Sequence, residues 1–204
     1  MRRGSLKQMG LAYIGMGGNV AGVAGTPEAT LAAAAARLGR VVARSSLYST
    51  APVGFAEQPR FVNAVVALET ERSPRELLEG LLGVEREFGR ERAAGNKNGP
   101  RTLDLDILLF GDLVVSEWDL EIPHPRLAER AFVLVPLNEI AAAARDPRSG
   151  ATVAQLLENL FPDREGVMDA VVKVESDVWR AGAGDLAAGC DDARAGCGGD
   201  RDHG

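Results

Sequence analysis

Along the first part of this chain, segments with a strand-like spacing of hydrophobic residues alternate with segments that have a helical spacing. These spacings predict its secondary structure. Apolar residues at every second position indicate β-strands, whereas apolar residues with a helical period indicate amphipathic helices. A Thr or Ser cap followed by proline marks the start of two helices, at 26–38 and 73–88. The period of two predicts four strands, at 11–17, 41–50, 61–70 and 102–110.

The order of these elements is strand, helix, strand, strand, helix, strand, which is that of the ferredoxin-like βαββαβ fold. We therefore predict an α+β protein with an antiparallel sheet and with its helices on one face of that sheet. The glycine-rich segment 15–19 lacks the spacing of a phosphate-binding loop and is predicted to be a turn.

The C-terminal part of the sequence predicts a hairpin and further elements. A turn at 111–112 is predicted to fold residues 113–116 back as a short hairpin. Helical patterns follow at 132–144 and 152–160, and residues 167–174 predict an edge strand.

Gly, Ala and Asp dominate the sequence from about Trp179 onward, and no apolar period remains there. Such a composition is typical of disordered segments. We predict a folded domain over 11–174 and a disordered, acidic tail over 175–204. Cys190 and Cys197 lie in this tail without other ligands at zinc-site spacing, so we predict no metal role for them.

Composition and charge narrow the possible partners. The chain is 46% hydrophobic and 25% charged, and residues 175–204 carry −4 of the formal net charge of −6. The other residues are almost neutral as a group and predict no binding to nucleic acid. No long apolar run and no signal-peptide pattern occur, so we expect a cytoplasmic protein without membrane contact, and a monomer by default.

Two aspartates on one predicted strand are candidates for metal binding. In G-P-R-T-L-D-L-D-I-L-L-F, at 99–110, alternation directs Asp104 and Asp106 to the same face. Side chains two apart on a strand lie about 6.5–7 Å from each other, and a cation between them would relieve their repulsion. Oxygen ligands favour magnesium. The alternative is a solvated strand end. Alternation also assigns Leu108 and Phe110 to this face, and Leu103, Leu105, Ile107 and Leu109 to the opposite one.

A long basic segment precedes this strand. Residues 89–100 contain three bases, among them Arg90 and Arg92, against a single acid. Long loops in a compact domain are usually functional or disordered, and bases that lead into Arg101 favour phosphate binding. Glu85 lies at the edge of the apolar stripe of the preceding helix, and it is either a solvated rim acid or part of the same site.

Four segments together resemble the family of 6-hydroxymethyl-7,8-dihydropterin pyrophosphokinases. They are S-S-L-Y-S-T-A-P-V-G at 45–54, Q-P-R-F-V-N-A at 58–64, G-P-R-T-L-D-L-D at 99–106 and P-H-P at 123–125. The resemblance extends over about 11–170 and implies a ferredoxin-like fold. It also implies transfer of diphosphate from ATP to the hydroxymethyl group of the pterin with release of AMP, a step of folate biosynthesis.

The resemblance implies roles for individual residues on the ATP side. Asp104 and Asp106 match the ligands of two magnesium ions on the triphosphate of ATP, the co-substrate. The matches to catalytic positions are Arg90, Arg92, Arg101 and His124. The matches to ATP-binding positions are Glu85, Arg92, Arg101, Ile107, His124 and Arg130.

On the pterin side, Phe61 and Phe132 match two aromatic residues that sandwich the ring, and Asn63 matches the amide that recognises its edge. An asparagine suits that edge because one side chain supplies both a donor and an acceptor. The resemblance implies further contacts to the same edge from Thr50, Ala51 and Val53.

Three hypotheses follow for the function. The chain is an active pyrophosphokinase, a catalytically silent pterin- or nucleotide-binding module on the same fold, or an interaction module whose acids are merely exposed. The first is favoured because both aspartates, Asn63 and the two aromatic residues are retained, whereas a silent binder would be expected to lose a metal ligand. We therefore expect small-molecule partners, ATP and the hydroxymethyl dihydropterin.

Overall fold

The computed structural model of the protein describes residues 9–52, 57–90, 99–161 and 171–181. The strands of this part are β1 (Gly10–Gly18), β2 (Arg40–Arg44), β3 (Leu47–Thr50), β4 (Phe61–Thr70), β5 (Asp104–Phe110), β6 (Val115–Glu117), β7 (Leu120–Ile122) and β8 (Val171–Val174). The helices are α1 (Pro27–Ala35), α2 (Pro74–Glu87), α3 (Ala131–Ala141), α4 (Val153–Leu160) and α5 (Asp177–Ala181), with a 3-10 turn at Leu127–Glu129.

The main sheet has the strand order β5-β1-β4-β3-β8, and β2 also pairs with β4. All these pairings are antiparallel, which confirms the predicted ferredoxin-like arrangement. The predicted strand 41–50 is divided into β2 and β3. The division occurs at Ser45, whose hydroxyl accepts a hydrogen bond from the backbone N–H of Val65 at 2.9 Å in place of a backbone carbonyl.

The predicted helix starts are confirmed by their caps. Thr26 caps α1, and Ser73 forms a complete capping box with Glu76 at the start of α2. α1 ends at Ala35, earlier than predicted, and Gly39 adopts a φ of 108° before β2 begins. Within the described residues, no helix combines the length and the apolar character needed to span a bilayer.

The helices cover both faces of the sheet, so the prediction that they lie on one face is wrong. Residues of α1, α2 and α5 share a hydrophobic cluster with Ala12 and Ile14 of β1. α3 and α4 cover part of the opposite face, where Leu134 clusters with Val65 and Leu108. The reason is that the segment after β5 is itself amphipathic and needs a second apolar surface on which to bury its apolar side.

A β-bulge changes the predicted faces at the end of β5. The register between β1 and β5 shifts between Tyr13 and Ile14, so that Leu108 is an extra residue in β5. Leu109 therefore joins Leu108 in the cluster under α3, whereas Phe110 packs on the side of α1 and α2. The predicted faces of these last two residues are wrong. The two aspartates precede the bulge and line the same small cavity.

The predicted hairpin partner of β5 is also wrong. β6 pairs with β7 in a separate two-stranded sheet. The outer edge of β5 is occupied, because the Leu105 N–H donates to Glu85 and the Leu108 carbonyl accepts from the His124 N–H, each at 2.9 Å. These bonds use the backbone groups that a hairpin strand would need.

α5 extends the folded part beyond the predicted boundary at residue 174. Trp179 is 5% exposed and belongs to the core on the side of α1. Its Nε1–H donates to the Ser45 carbonyl at 2.8 Å, and the Arg44 guanidinium lies 5.3 Å from the ring centroid. The predicted tail is therefore wrong for 177–181, because local composition does not report a long-range contact. Residues 182–204, with both cysteines, lie outside the described residues.

We expect Trp179→Ala to lower the free energy of unfolding by about 3–5 kcal/mol, because it creates a cavity in the core. It also removes the donor to the Ser45 carbonyl. Trp118→Ala is the matched control, since Trp118 is 95% exposed. We expect its effect to stay within about 0.5 kcal/mol. Urea unfolding measures both variants, and equal losses would contradict the burial of Trp179.

Candidate active site

A cavity of about 340 Å³ opens between the end of β3, the start of β4 and the start of α3. A smaller cavity of about 40 Å³ adjoins it and is lined by Asp104 and Asp106 of β5. The residues that line both cavities are Phe61, Asn63, Arg101, Arg130 and Phe132. The two cavities therefore form one cleft, with an aromatic part and an acidic part.

Two aromatic rings line the cleft, and each is covered by a guanidinium group. The guanidinium carbon of Arg101 lies 4.8 Å from the ring centroid of Phe61. That of Arg130 lies 5.5 Å from the ring centroid of Phe132. Cation–π contacts of this kind hold each arginine against its ring. The arrangement suits a ligand pair that combines a flat ring with a strongly anionic group.

Asn63 contributes a buried amide to the cleft. Its Nδ2 donates to the Thr50 hydroxyl at 2.8 Å. Gly17 of β1 provides the space for this side chain, because a Cβ there would lie 2.8 Å from the Asn63 Oδ1. An amide has two donor hydrogens and an acceptor oxygen, so the bond to Thr50 leaves capacity for recognition of a ligand.

Asp104 and Asp106 form the acidic part of the cleft. Asp104 is paired with Arg90 and with Arg101, whose Nε lies 3.0 Å from the carboxylate. Asp106 has a more distant partner, Arg130, at 3.9 Å. Desolvation by the surrounding protein and repulsion from Asp104 raise the pKa of Asp106 to about 6. A bound cation would relieve this repulsion.

Glu85 lies beneath β5 and is not a solvated rim acid. It is 1% exposed, and its Oε1 accepts from the Leu105 N–H at 2.9 Å and from Arg90 at 3.2 Å. Arg90 also donates to the Leu103 carbonyl at 2.8 Å and contacts Asp104. The buried carboxylate of Glu85 therefore holds the Arg90 guanidinium next to Asp104.

His124 lies beside β5 as a neutral imidazole. Its backbone N–H donates to the Leu108 carbonyl, and its Nδ1 accepts from the Arg126 N–H at 3.1 Å. Burial, together with the charges of Arg130 and Arg126, lowers the pKa of His124 to about 4. Because Nδ1 is an acceptor, the proton of the neutral ring is on Nε2, which is then a hydrogen-bond donor.

We expect the His124 ring to stay neutral between about pH 5.5 and 8. Its native pKa of about 4 lies below the unfolded value of about 6.5. The free energy of unfolding should therefore rise as the pH increases between these values, and the contribution is complete above the unfolded pKa. NMR titration of the ring signals, assigned with His124→Gln, measures this. A midpoint near the unfolded value would contradict the burial of the ring.

Comparison with known proteins identifies the family. The family model for 7,8-dihydro-6-hydroxymethylpterin-pyrophosphokinase matches residues 13–142. The chain belongs to this pyrophosphokinase family. A Synechocystis sp. 2-amino-4-hydroxy-6-hydroxymethyldihydropteridine pyrophosphokinase is 43% identical over 149 residues, which cover 73% of this chain and 75% of that protein. The Bacillus subtilis enzyme of the same name is 39% identical over 171 residues, 81% of this chain and 98% of that enzyme. The resemblance found in the sequence motifs is thus confirmed.

A solved structure supports the fold of this family member. Plasmodium falciparum HPPK-DHPS with pterin and p-hydroxybenzoate matches with a TM-score of 0.65 and 14% identity. The match covers 85% of this chain and 46% of the Plasmodium protein, so this chain spans about half of its length. At this identity the similarity is one of fold.

The structure brings most of the expected pyrophosphokinase site residues together. Those that line the cleft are Thr50, Ala51, Phe61, Asn63, Arg101, Asp104, Asp106, Arg130 and Phe132. The Ile107 side chain is not among them. It packs in the core on the opposite face of the sheet. Only the backbone of Ile107 is therefore available for the expected contact with ATP. Val53 and Arg92 lie outside the described residues.

Some residues of the cleft were missed by sequence reasoning. Arg126 and Glu129 line its larger cavity and are joined by an ion pair at 3.3 Å. The predicted turn at 15–19 is wrong for 15–18, which belong to β1, and Asn19 lies next to the cleft with its side chain buried and hydrogen-bonded. The available signal was a polar amide directly after the glycine end of a buried strand.

Proposed function

We propose that the cleft is the active site of an enzyme that transfers diphosphate from ATP to 6-hydroxymethyl-7,8-dihydropterin and releases AMP. Family membership supports the reaction, which is a step of folate biosynthesis. The observation that carries the placement is the continuity of the aromatic part with the acidic part. Arg101 and Arg130 belong to both, so the two substrates would meet between these residues.

The aromatic part suits the pterin. A cavity of about 340 Å³ is within the usual size of small-molecule sites. Stacking of the flat ring on Phe61 and Phe132 would contribute about 0.5–1.5 kcal/mol per aromatic pair beyond burial. Asn63 offers a donor and an acceptor to the polar edge of the ring. Thr50 and Ala51 line the same wall and supply further backbone groups.

The acidic part suits the triphosphate of ATP with magnesium. Arg90, Arg101 and Arg130 provide guanidinium groups for phosphate oxygens, and guanidinium binds such oxygens in a bidentate manner. The neutral His124 adds an Nε2–H donor. Arg101 and Arg130 line the cleft, whereas Arg90 lies next to Asp104 and His124 lies beside β5, from where they would reach anionic oxygens.

Two carboxylates fit magnesium, which proteins usually hold by one or two carboxylates together with substrate phosphates. Among the described residues, no group of three His, Cys, Asp or Glu side chains forms a fuller metal site. Asp104 and Asp106 would thus hold two magnesium ions with the help of ATP oxygens. When bound, the ions would neutralise the charge on those oxygens.

The protein residues would act by position and charge, because diphosphate transfer needs little covalent chemistry from the enzyme. Phe61, Phe132 and Asn63 would orient the ring so that its hydroxymethyl oxygen faces the β-phosphorus of ATP. A bond forms between these two atoms while the bond from the β-phosphorus to the oxygen of AMP breaks, and the hydroxyl proton is released to solvent. Arg101 lies over Phe61 and next to Asp104, so it would hold phosphate oxygens beside the stacked ring.

A catalytically silent binder on the same fold is the second candidate function. The retention of both Asp104 and Asp106 in the acidic part of the cleft favours the enzyme, because a silent binder would be expected to lose a metal ligand.

The deciding experiment measures AMP release from ATP with magnesium and 6-hydroxymethyl-7,8-dihydropterin. We expect AMP to appear only with the pterin, in equal amount to the diphosphorylated pterin detected by mass spectrometry. Omission of the pterin controls for ATP hydrolysis, and EDTA tests the metal requirement. Pterin binding by calorimetry without AMP release would support the silent binder instead.

A further inference from the structure

A buried asparagine at the end of β1 connects the two parts of the cleft. Asn19 is 4% exposed and directly follows Gly18, the last residue of β1. Its Nδ2 donates to the Gln58 Oε1 and to the Pro59 carbonyl, each at 3.0 Å. Its Oδ1 accepts the backbone N–H of Arg101 at 2.9 Å, and its own N–H donates to the Arg101 carbonyl at 2.9 Å.

These contacts join two segments that serve different substrates in the proposed function. Residues 57–60 lead into Phe61 and the pterin side, whereas residues 99–102 lead into Asp104 and the ATP side. We propose that Asn19 is a positioning residue that holds the two segments in register and so places the pterin relative to the triphosphate. This inference rests on the proposed function of the cleft.

A side chain is suited to this connection because a proline removes one backbone donor from each of the two segments. Pro59 and Pro100 have no N–H, so neither segment can continue the hydrogen-bond ladder of the sheet through these residues. Asn19 supplies donors and an acceptor from one planar group. The end of β1 also approaches closely, since a Cβ on Gly18 would lie 2.4 Å from the Thr102 carbonyl oxygen.

The variant Asn19→Asp tests the contact with Pro59 separately from the contact with Arg101. The aspartate keeps an acceptor for the Arg101 N–H, but it places a second oxygen against the Pro59 carbonyl, which can only accept a hydrogen bond. We expect the KM for the pterin to rise about 10-fold or more, and the KM for ATP to change by less than about 3-fold.

Asn19→Ala removes both side-chain connections. We expect kcat to fall about 30-fold or more, because small displacements between reacting groups lower the rate strongly. Steady-state AMP release, with each substrate varied in turn, measures both variants. Unchanged kcat and KM values in folded variants, or equal rises of the two KM values in Asn19→Asp, would overturn the proposal.

Ser45→Ala is the control for a purely structural role. The buried hydroxyl of Ser45 donates to the Ser46 carbonyl at 2.8 Å and accepts the Val65 N–H at 2.9 Å, but Ser45 lines neither cavity of the cleft. We expect Ser45→Ala and Asn19→Ala to lower Tm by similar amounts. Only Asn19→Ala should lower kcat. A similar fall of kcat in Ser45→Ala would assign the effect to stability and overturn the proposal.

Hydrogen exchange at the Arg101 amide tests the positioning role without turnover. We expect this amide to stay protected in the wild type and in Asn19→Asp, and to exchange about 10-fold faster or more in Asn19→Ala. Equal exchange in all three proteins would overturn the positioning role. Absence of AMP release from the wild type, with the expected exchange pattern, would overturn the proposed function and leave the connection itself supported.

Discussion

We expect Asp106→Ala to lower the turnover number by about 100-fold or more while the protein remains folded, because losing a main charge stabiliser has effects of this size. Asp106 lines the acidic part of the cleft and would provide oxygen ligands for the cation on the triphosphate. AMP release at saturating ATP and pterin measures the loss. Circular dichroism and urea unfolding verify the fold.

Asp106 is a cleaner target than Asp104. Asp104 is paired with Arg90 and Arg101, so its removal would disrupt a charge network in which Arg90 keeps only Glu85 among its described carboxylate partners. Among the residues that the structure describes, the ion-pair partner of Asp106 is the more distant Arg130, at 3.9 Å. Its pKa of about 6 lies above the unfolded value of about 3.9. The ionised group therefore weakens the metal-free fold as the pH rises through this range, and Asp106→Asn should be no less stable than the wild type at neutral pH.

Asp112→Ala is the matched control for the loss of one negative charge. Asp112 is exposed in the turn that follows β5 and lines neither cavity of the cleft. We expect its AMP release to equal that of the wild type. Near-normal AMP release by a well-folded Asp106→Ala protein would contradict the metal-binding role of this carboxylate.

We expect Asn63→Ala to raise the KM for the pterin by about 100-fold, with little change in the KM for ATP. A site built to hydrogen-bond a polar ring loses about 1–3 kcal/mol for each buried group that is left without a partner. Asn63→Ala would leave the polar edge of the ring without its hydrogen-bond partner. It would also remove the donor to the Thr50 hydroxyl, which accepts from the Asn63 Nδ2 at 2.8 Å. Calorimetry with the pterin alone, followed by steady-state kinetics, measures the effect.

Two variants test whether this effect is one of recognition. Asn63→Asp keeps the size of the side chain but replaces the Nδ2 donor by an acceptor, so it should also weaken pterin binding. Asn138→Ala removes an amide from α3 that lines neither cavity, and we expect normal pterin affinity. An Asn63→Asp protein with wild-type affinity would show that the donor does not contact the ring.

Individual elements show why local patterns predicted part of the fold. The predicted strand 61–70 has the bounds of β4, because both of its faces are buried and its sequence is an apolar run ended by turn residues. The cap at Ser73 predicted the start of α2, because a capping box lies within four consecutive residues. In each case the determining contacts are close in sequence.

The errors concern contacts between residues that are far apart in sequence. The bulge in β5 arises where β5 pairs with Tyr13 and Ile14 of the neighbouring strand β1. Trp179 donates a hydrogen bond to the carbonyl of Ser45, which lies far earlier in the chain. No local period records such contacts, since a period reports the side of an element on which apolar residues lie and not the surface that covers them.

The sequence alone specified the strand and helix order, the shared face of Asp104 and Asp106 and the family motifs, because these depend on residue type at short spacing. Tertiary structure decided which groups surround that pair. Glu85 reaches Arg90 from beneath β5, and Asn19 joins the segment before β4 to the segment before β5. Buried polar groups need partners, and the chain satisfies that need with residues that only the folded sheet brings within hydrogen-bond distance.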